Sequence, residues 1–523
     1  MTRINSNISS LTARFNLQRA NEDLETRLQR LSTGLRINRG ADDPAGLIVS
    51  ERLRSELEGI KQGVRNSERA SNVIATTEGS LAEVNNMLNS IRSLVVEAAN
   101  TGAFTPDEIE ANQLQIDSAI ESITRVANTA SFGGLKLLNG QLGYGLSGVT
   151  ESDIAIAKVN SALFADRDDI QVDVETVGSA QRGQLYLHTA YNTDPQGFHG
   201  ALPAGQTDGV LPAQTTVEIA GPKGVIELTF ASGTTNANII QAINDRSGIT
   251  GVQAKPVSAA DVSSGIVFET TEYGKDSFVS VDVLSSNFDS WTSAKLQNDL
   301  PEPIDWTAGA TYTTAEKDIG KDVEVIINGA IATGNGLNVK QRTPELDLEL
   351  ELTEAFATTL SGTPSTFHIT GGGALFQLGP QVNQNQQASV GVESIAATRI
   401  GGTTLLNNAG NLEVQFLSSL KSGGANDLRG NLQNASRILE TAIDEVSSLR
   451  GRLGAFERNV LDTNIRSLES SIENITASES VIRDADFAAE TAELTRTQIL
   501  SQSSTQTLSI ANQQAQQVLQ LLG

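Results

Sequence analysis

The chain of 523 residues carries 37 Lys and Arg against 62 Asp and Glu, a formal net charge of -25, and no Cys. That length implies about three domains and ample material for a buried core. The missing cysteines exclude disulfide staples, thiolate metal sites and cysteine nucleophiles, and the acidic surplus argues against DNA or an anionic membrane as a main partner. The histidines His188, His199 and His368 stand isolated in the middle of the chain and leave little for imidazole chemistry. No stretch approaches the roughly 18 uninterrupted apolar residues of a membrane span. The opening MTRINSNISSLTARFNL lacks the apolar core of a cleavable signal peptide, so export, if it occurs, uses another route.

Proline divides the chain into three parts. Only Pro44 and Pro106 precede residue 195 and none follows Pro380, so the two ends are free to form long helices and the middle is not. Charge divides it the same way: residues 151–380 hold 30 acidic and 12 basic side chains, whereas residues 1–70 hold 9 acidic and 12 basic ones.

At the N-terminus, Ile4, Ile8, Leu11 and Phe15 fall on one helical stripe, and Leu24, Leu28, Leu31 and Leu35 on another. No nearby sequence obviously covers them. Gly40-Ala41-Asp42-Asp43-Pro44-Ala45-Gly46 is turn chemistry in which Asp42 or Asp43 caps a helix beginning at Pro44. The alternative, a metal pair of aspartates, lacks a third ligand nearby. Two heptad seams follow: Thr77, Leu81, Val84, Leu88, Ile91, Val95 and Ala98, then Ile109, Gln113, Ile116, Ile120, Ile123 and Ala127. An apolar residue every 3.5 positions keeps one stripe on a partner helix, as in a coiled coil; an ordinary helical bundle is the alternative. Phe132-Gly133-Gly134 reads as a turn into a short strand where the helical region ends.

The insert, about 151–380, alternates like β-structure. Leu346, Leu348, Leu350 and Leu352 alternate with acids, Val323, Val325 and Ile327 lead into an Asn328-Gly329 hairpin, and residues 217–230 read as a second hairpin. Asn236 is placed to cap a short helix through Ile239, Ile240 and Ile243. Toward the C-terminus, Leu432, Ala435, Leu439, Ala442, Val446, Leu449, Leu453, Phe456 and Val460 form the longest seam. It slips by one residue and resumes at Leu461, Ile465, Leu468, Ile472 and Ile475. The last stripe is Leu508, Ala511, Ala515, Val518 and Leu522 among Gln, Ser and Asn. Terminal helices of this kind are weakly ordered alone. Burying each Leu or Ile against another chain is worth about 1.5–3 kcal/mol, which predicts a polymer, with helix content rising on assembly.

The ends resemble bacterial flagellin through INSNISSLTARFNL, LQRLSTGLRINRGADDPAGL, NSIRSLVVEAANTG and FGGLKLLNG, and through LRGRLGAFERNV, IRDADFAAETAELTRTQILSQSS and IANQQAQQVLQLLG. The likeness covers about residues 1–140 and 385–523. Residues 214–256 resemble the small IN module of some flagellins and hook-associated proteins, and FQLGPQVNQNQ the segment where the family's chain re-enters its helical core. The resemblance implies an α+β multidomain protein, with terminal α-helical coiled-coil core domains and a central β-rich outer insert. The implied boundaries are an inner-core helix over 1–40, halves of an outer-tube domain over 41–150 and 381–480, the exposed insert over 151–380, and a second inner-core helix over 481–523.

The implied function is a filament subunit that needs no cofactor or metal, exported unfolded through the flagellar type III apparatus. Its implied partners are further copies of itself, an export chaperone on Leu494–Leu522, and the filament cap and hook-associated proteins. Toll-like receptor 5 recognises some flagellins on the stretch matching Leu88–Glu97. Arg92 and Leu94 are kept there, but Ser90 and Gln115 replace an arginine and a glutamate of strongly recognised members, which weakens charge-assisted recognition. Subunit packing is the competing role for Arg92 and Leu94.

Three other readings stay open. A hook–filament junction protein shares the helical ends. An inserted enzyme needs a motif such as His-Glu-x-x-His, which is absent from the sequence. Adhesion or glycan display would use the Ser/Thr-rich surface of the insert.

Overall fold

The computed structural model describes residues 7–100, 102, 105–164, 167–188, 209–211, 213–258, 261–286, 292–296, 312–343, 345–360, 362–406 and 412–522. Ile4 and His199 lie outside them. The helices are α1 (Ile8–Thr33), α2 (Pro44–Ala98), α3 (Pro106–Thr129), α4 (Asn236–Asn244), α5 (Ser247–Thr250), α6 (Glu354–Thr358), α7 (Leu432–Phe456), α8 (Asp462–Arg483) and α9 (Phe487–Leu522). The chain splits into two compact units, one of Met1–Ala75, Phe376–Ala388 and Arg452–Gly523, the other of Thr76–Leu375 and Ser389–Gly451. No helix among the described residues is long and apolar enough to cross a membrane.

The first unit is built from the terminal helices. The Asn7 side chain accepts from the Ser10 N–H to start α1, and Gly34, at φ +72°, ends it in the left-handed conformation that glycine adopts without strain. The backbone then pairs with the α8–α9 junction: Arg36 N–H donates to the Arg483 carbonyl at 2.7 Å and Ala485 N–H to the Gly34 carbonyl at 2.9 Å. Asp43 accepts from Gly46 N–H at 2.9 Å ahead of Pro44, while Asp42 accepts from Asn38 and Arg39 N–H groups. Of the two aspartates, then, Asp43 is the cap and Asp42 closes the turn before it.

The one-residue slip in the C-terminal seam has a structural counterpart. Glu457–Leu461 is a π-helical turn. A π turn takes one residue more than an α turn, so Leu453 before it and Leu461 after it are both buried, while Val460 and, beyond the turn, Ile465, Leu468, Ile472 and Ile475 are half-buried. Phe456, expected on the seam, is only half-buried and packs beside Phe376 with ring centroids 6.1 Å apart.

In the second unit, the seams of α2, α3 and α7 form a helical core. Leu81, Val84, Leu88, Ile91 and Val95, then Ile116, Ile120 and Ile123, then Leu439, Val446 and Leu449 are all buried. α3 opens with a capping box: Glu108 N–H donates to the Thr105 hydroxyl while the Glu108 carboxylate accepts from Thr105 N–H.

The insert contains an eight-stranded antiparallel sheet in the order Tyr144–Ser147, Ser365–Gly372, Ile170–Gly178, Glu324–Ile327, Ala330–Asn335, Asn338–Arg342, Leu346–Leu352, Ile154–Ala162. The Leu346, Leu348, Leu350, Leu352 alternation is realised with all four leucines buried in its core. Asn328 and Gly329 both take positive φ, +50° and +81°, as a two-residue type I′ hairpin demands. A second core lies among a four-stranded and a five-stranded sheet and α4. α4 is capped by the Thr235 hydroxyl, not by Asn236 as expected; Asn236 is buried one position inside the helix and donates to the Val262 carbonyl at 3.1 Å. Thr235, in extended backbone at the position before the helix, takes the cap through its hydroxyl, which accepts from Asn238 N–H.

Candidate assembly surface

α1 and α9 pack antiparallel along most of their length, which places the start of α1 by the end of α9. Asn7 donates to the Ala511 carbonyl at 3.1 Å, the Ser10 hydroxyl to Asn512 at 2.7 Å and the Ser501 hydroxyl to Asn21 at 2.8 Å. At the other end, Arg27 donates to both Glu490 oxygens at 2.8 and 2.9 Å, and Arg30 adds a bond at 3.2 Å.

The fully buried positions of the seam between these helices are small or polar, with half-buried leucines between them. Ala13, Leu17, Ala20, Leu24, Arg27 and Leu31 run at heptad spacing on α1, with Ala13 and Ala20 buried and the others half-buried. Glu490, Leu494, Thr497, Ser501, Ser504, Leu508 and Ala511 do the same on α9, with Glu490, Thr497 and Ala511 buried. Alanine and serine let the two backbones approach but bury little apolar area. Burial raises the Glu490 carboxyl's affinity for a proton, yet hydrogen bonds from Arg27 and Arg30 outweigh that and hold it below the usual carboxylate range.

Ile8, Leu11 and Phe15 therefore face away from α9, 62, 46 and 56 % exposed, and Leu28 is exposed too, whereas Leu24 and Leu31, expected to lie bare with it, are half-buried on the α9 side. The C-terminal stripe differs from the expectation that it lies bare. Leu508 is half-buried and Ala511 buried on the α1 side, and the exposed large apolar side chains of α9 among the described residues are Phe487, Ile499, Leu500 and Ile510. Ala515, Val518 and Leu522 continue α9, but their side chains lie outside the described ones. The Ala13/Leu17/Ala20/Leu24 spacing was present in the sequence; alanines gave it too little hydrophobic contrast beside Ile8, Leu11 and Phe15.

On α2, Arg92 is exposed and Leu94 half-buried, with Ser90 exposed on the same helix and Gln115 exposed on α3. Among titratable side chains of the described residues, no group of three or more His, Asp or Glu is arranged to hold a metal.

Two family models match the helical ends: the bacterial flagellin N-terminal helical region over residues 4–142 and the bacterial flagellin C-terminal helical region over residues 437–522. A flagellin of Salmonella typhimurium is 27 % identical over 525 residues, and the match spans 99 % of both chains. The B-type flagellin of Pseudomonas aeruginosa is 29 % identical over 533 residues, again across 99 % of both. The chain belongs to the bacterial flagellin family. This flagellin is a structural subunit of the flagellar filament, part of an extracellular organelle. Among solved structures, a flagellar hook-associated protein-3 of Legionella pneumophila is similar at a TM-score of 0.27 and 10 % identity, over 82 % of this chain and 97 % of its own. End-to-end sequence likeness to flagellins favours the filament subunit over the hook–filament junction.

Proposed function

We propose that this flagellin polymerises by burying the outward faces of its paired terminal helices against neighbouring copies. The observation that carries the reading is the stripe Ile8, Leu11 and Phe15, left open although α1 already has a partner in α9. Ile499 and Ile510, three helical turns apart on α9, extend the apolar surface. Each such side chain contributes about 1.5–3 kcal/mol when buried, so a handful at each subunit boundary suffices for a stable polymer. The expected outer-tube seam residues Leu81, Val84, Leu88, Ile91, Val95, Leu439, Val446, Leu449 and Leu453 are buried within one chain, which supports a role in folding rather than in the contact between copies.

The role is architectural, with no catalytic step. The finer parts rest on the family resemblance: secretion through the type III apparatus as an unfolded chain, chaperone capture of Leu494–Leu522, and docking to cap and hook-associated proteins. Contact with Toll-like receptor 5 would use the exposed Arg92 with Leu94 beside it, weakened by the neutral Ser90 and Gln115.

Electron microscopy and sedimentation of the full chain test the assembly reading. The parent forms long filaments, whereas the double variant Leu11→Asp, Phe15→Asp remains monomeric with its core intact. Filaments of normal yield from the double variant would overturn the reading.

A further inference from the structure

Val382 is the most exposed large apolar side chain among the described residues, 86 % open. It stands on a loop that is held in place from several directions. The strands Ala374–Gln377 and Gln387–Val390 pair at its base. The Gln377 amide donates to the carbonyls of Gly379 and Gln381 at 2.9 and 2.7 Å, and the Gln386 amide oxygen accepts from Gln381 N–H at 2.6 Å.

Beneath the loop, Asn464 of α8 donates to the Leu378 carbonyl at 2.9 Å. The loop lies directly on α2 at two glycines: a Cβ on Gly63 would come within 2.9 Å of the Leu378 oxygen, and one on Gly59 within 2.8 Å of Pro380. A rigid loop with its apolar residue turned outward gains nothing for the fold from that residue. It is preorganised for a contact elsewhere.

Charge identifies the partner. No Asp, Glu, Lys or Arg occurs between Glu354 and Glu393, in a chain whose net charge is -25. Copies of such a chain repel one another over most of their surface, and an uncharged loop carrying an apolar knob is where they approach at least electrostatic cost. We propose that the Phe376–Ala388 loop is a docking knob for a second copy of this chain, with Val382 at its centre. The inference rests on the filament reading and adds to it a contact distant in sequence from the terminal helices.

Because the chain has no Cys, Val382→Cys supplies a single thiol in the full-length protein. Maleimide labelling is expected to be rapid in the monomer and slower by about tenfold or more in the filament, as for a residue inside an interface core. In parallel, Val382→Asp is expected to melt like the parent as a monomer and to raise the critical concentration for growth on parent seeds by about tenfold. A thiol that reacts in filaments at the monomer rate, or Val382→Asp growing at the parent's critical concentration, overturns the proposal. So does slow labelling in the monomer, which would mean that the chain covers its own loop. Filaments that form but leave the thiol open sink this contact alone; a parent that forms no filament sinks the filament reading.

Discussion

Arg27 and Glu490 meet across 463 positions of sequence, one guanidinium nitrogen of Arg27 donating to both carboxylate oxygens at 2.9 and 2.8 Å. Arg30 joins them, and Glu490 keeps only 9 % of its side chain open. This cluster sits next to the backbone pairing of residues 34–36 with 483–485, so polar contacts concentrate at the root of the α1–α9 pair. Along the rest of the seam, alanines and serines alternate with leucines that are only half-buried.

Glu490→Ala is therefore expected to loosen the terminal pair. Hydrogen bonds to charged groups contribute about 1.5–3 kcal/mol, and two arginines would be left without their acceptor. Amide exchange across Ile8–Thr33 should quicken while the seams of α3 and α7 keep their protection. Unchanged exchange in α1 would show that the clamp is dispensable.

Acidification should act on the same contact. The folded Glu490 carboxyl titrates below its unfolded value, so it contributes stability above the unfolded range, and that contribution disappears as pH falls through the folded value. The pairing should hold from neutrality to about pH 5 and weaken below about pH 4. In Glu490→Gln this component of the acid response should vanish. A variant and a parent with identical acid profiles of α1 exchange would refute the assignment.

Gly63→Ala is expected to destabilise the first unit although alanine favours a helix over glycine by about 1 kcal/mol. The new Cβ would stand 2.9 Å from the Leu378 carbonyl oxygen and 3.1 Å from Leu468, and displacing backbone costs about 1–3 kcal/mol. Thermal melting decides it: a raised melting temperature would mean that the loop moves aside freely.

Deleting Asn459, an exposed residue of the π turn, should yield a regular α-helix that still keeps Leu453 and Leu461 on one face, because the turn houses one residue in excess. Deleting the exposed Ser447 within α7 should instead rotate the residues before it by about 100° relative to those after it and unfold the helical core. Circular dichroism melts of the two deletions should differ widely; equal damage would argue against the register role of the turn.

The long helices, the heptad seams of α2, α3 and α7 and the acidic β-rich insert are legible in the residues themselves. Leu81 to Val95 and Leu439 to Leu453 are large, apolar and regularly spaced, and periodic burial of such side chains admits one helical face. Alternation at Leu346–Leu352 and the Asn328-Gly329 pair do the same for a strand and its turn. Even the π turn announces itself as a one-residue slip.

Tertiary structure alone decided which terminal stripes stay bare. Ala13, Ala20, Ser501 and Ala511 face inward because close backbone approach and polar bonds favour small side chains, and that preference leaves no hydrophobic contrast in a sequence. Ile8, Leu11 and Phe15 are apolar by type and share one helical face by their spacing. Their exposure depends on where α9 lies, and α9 is placed by residues nearly five hundred positions away, through Glu490 and its arginines.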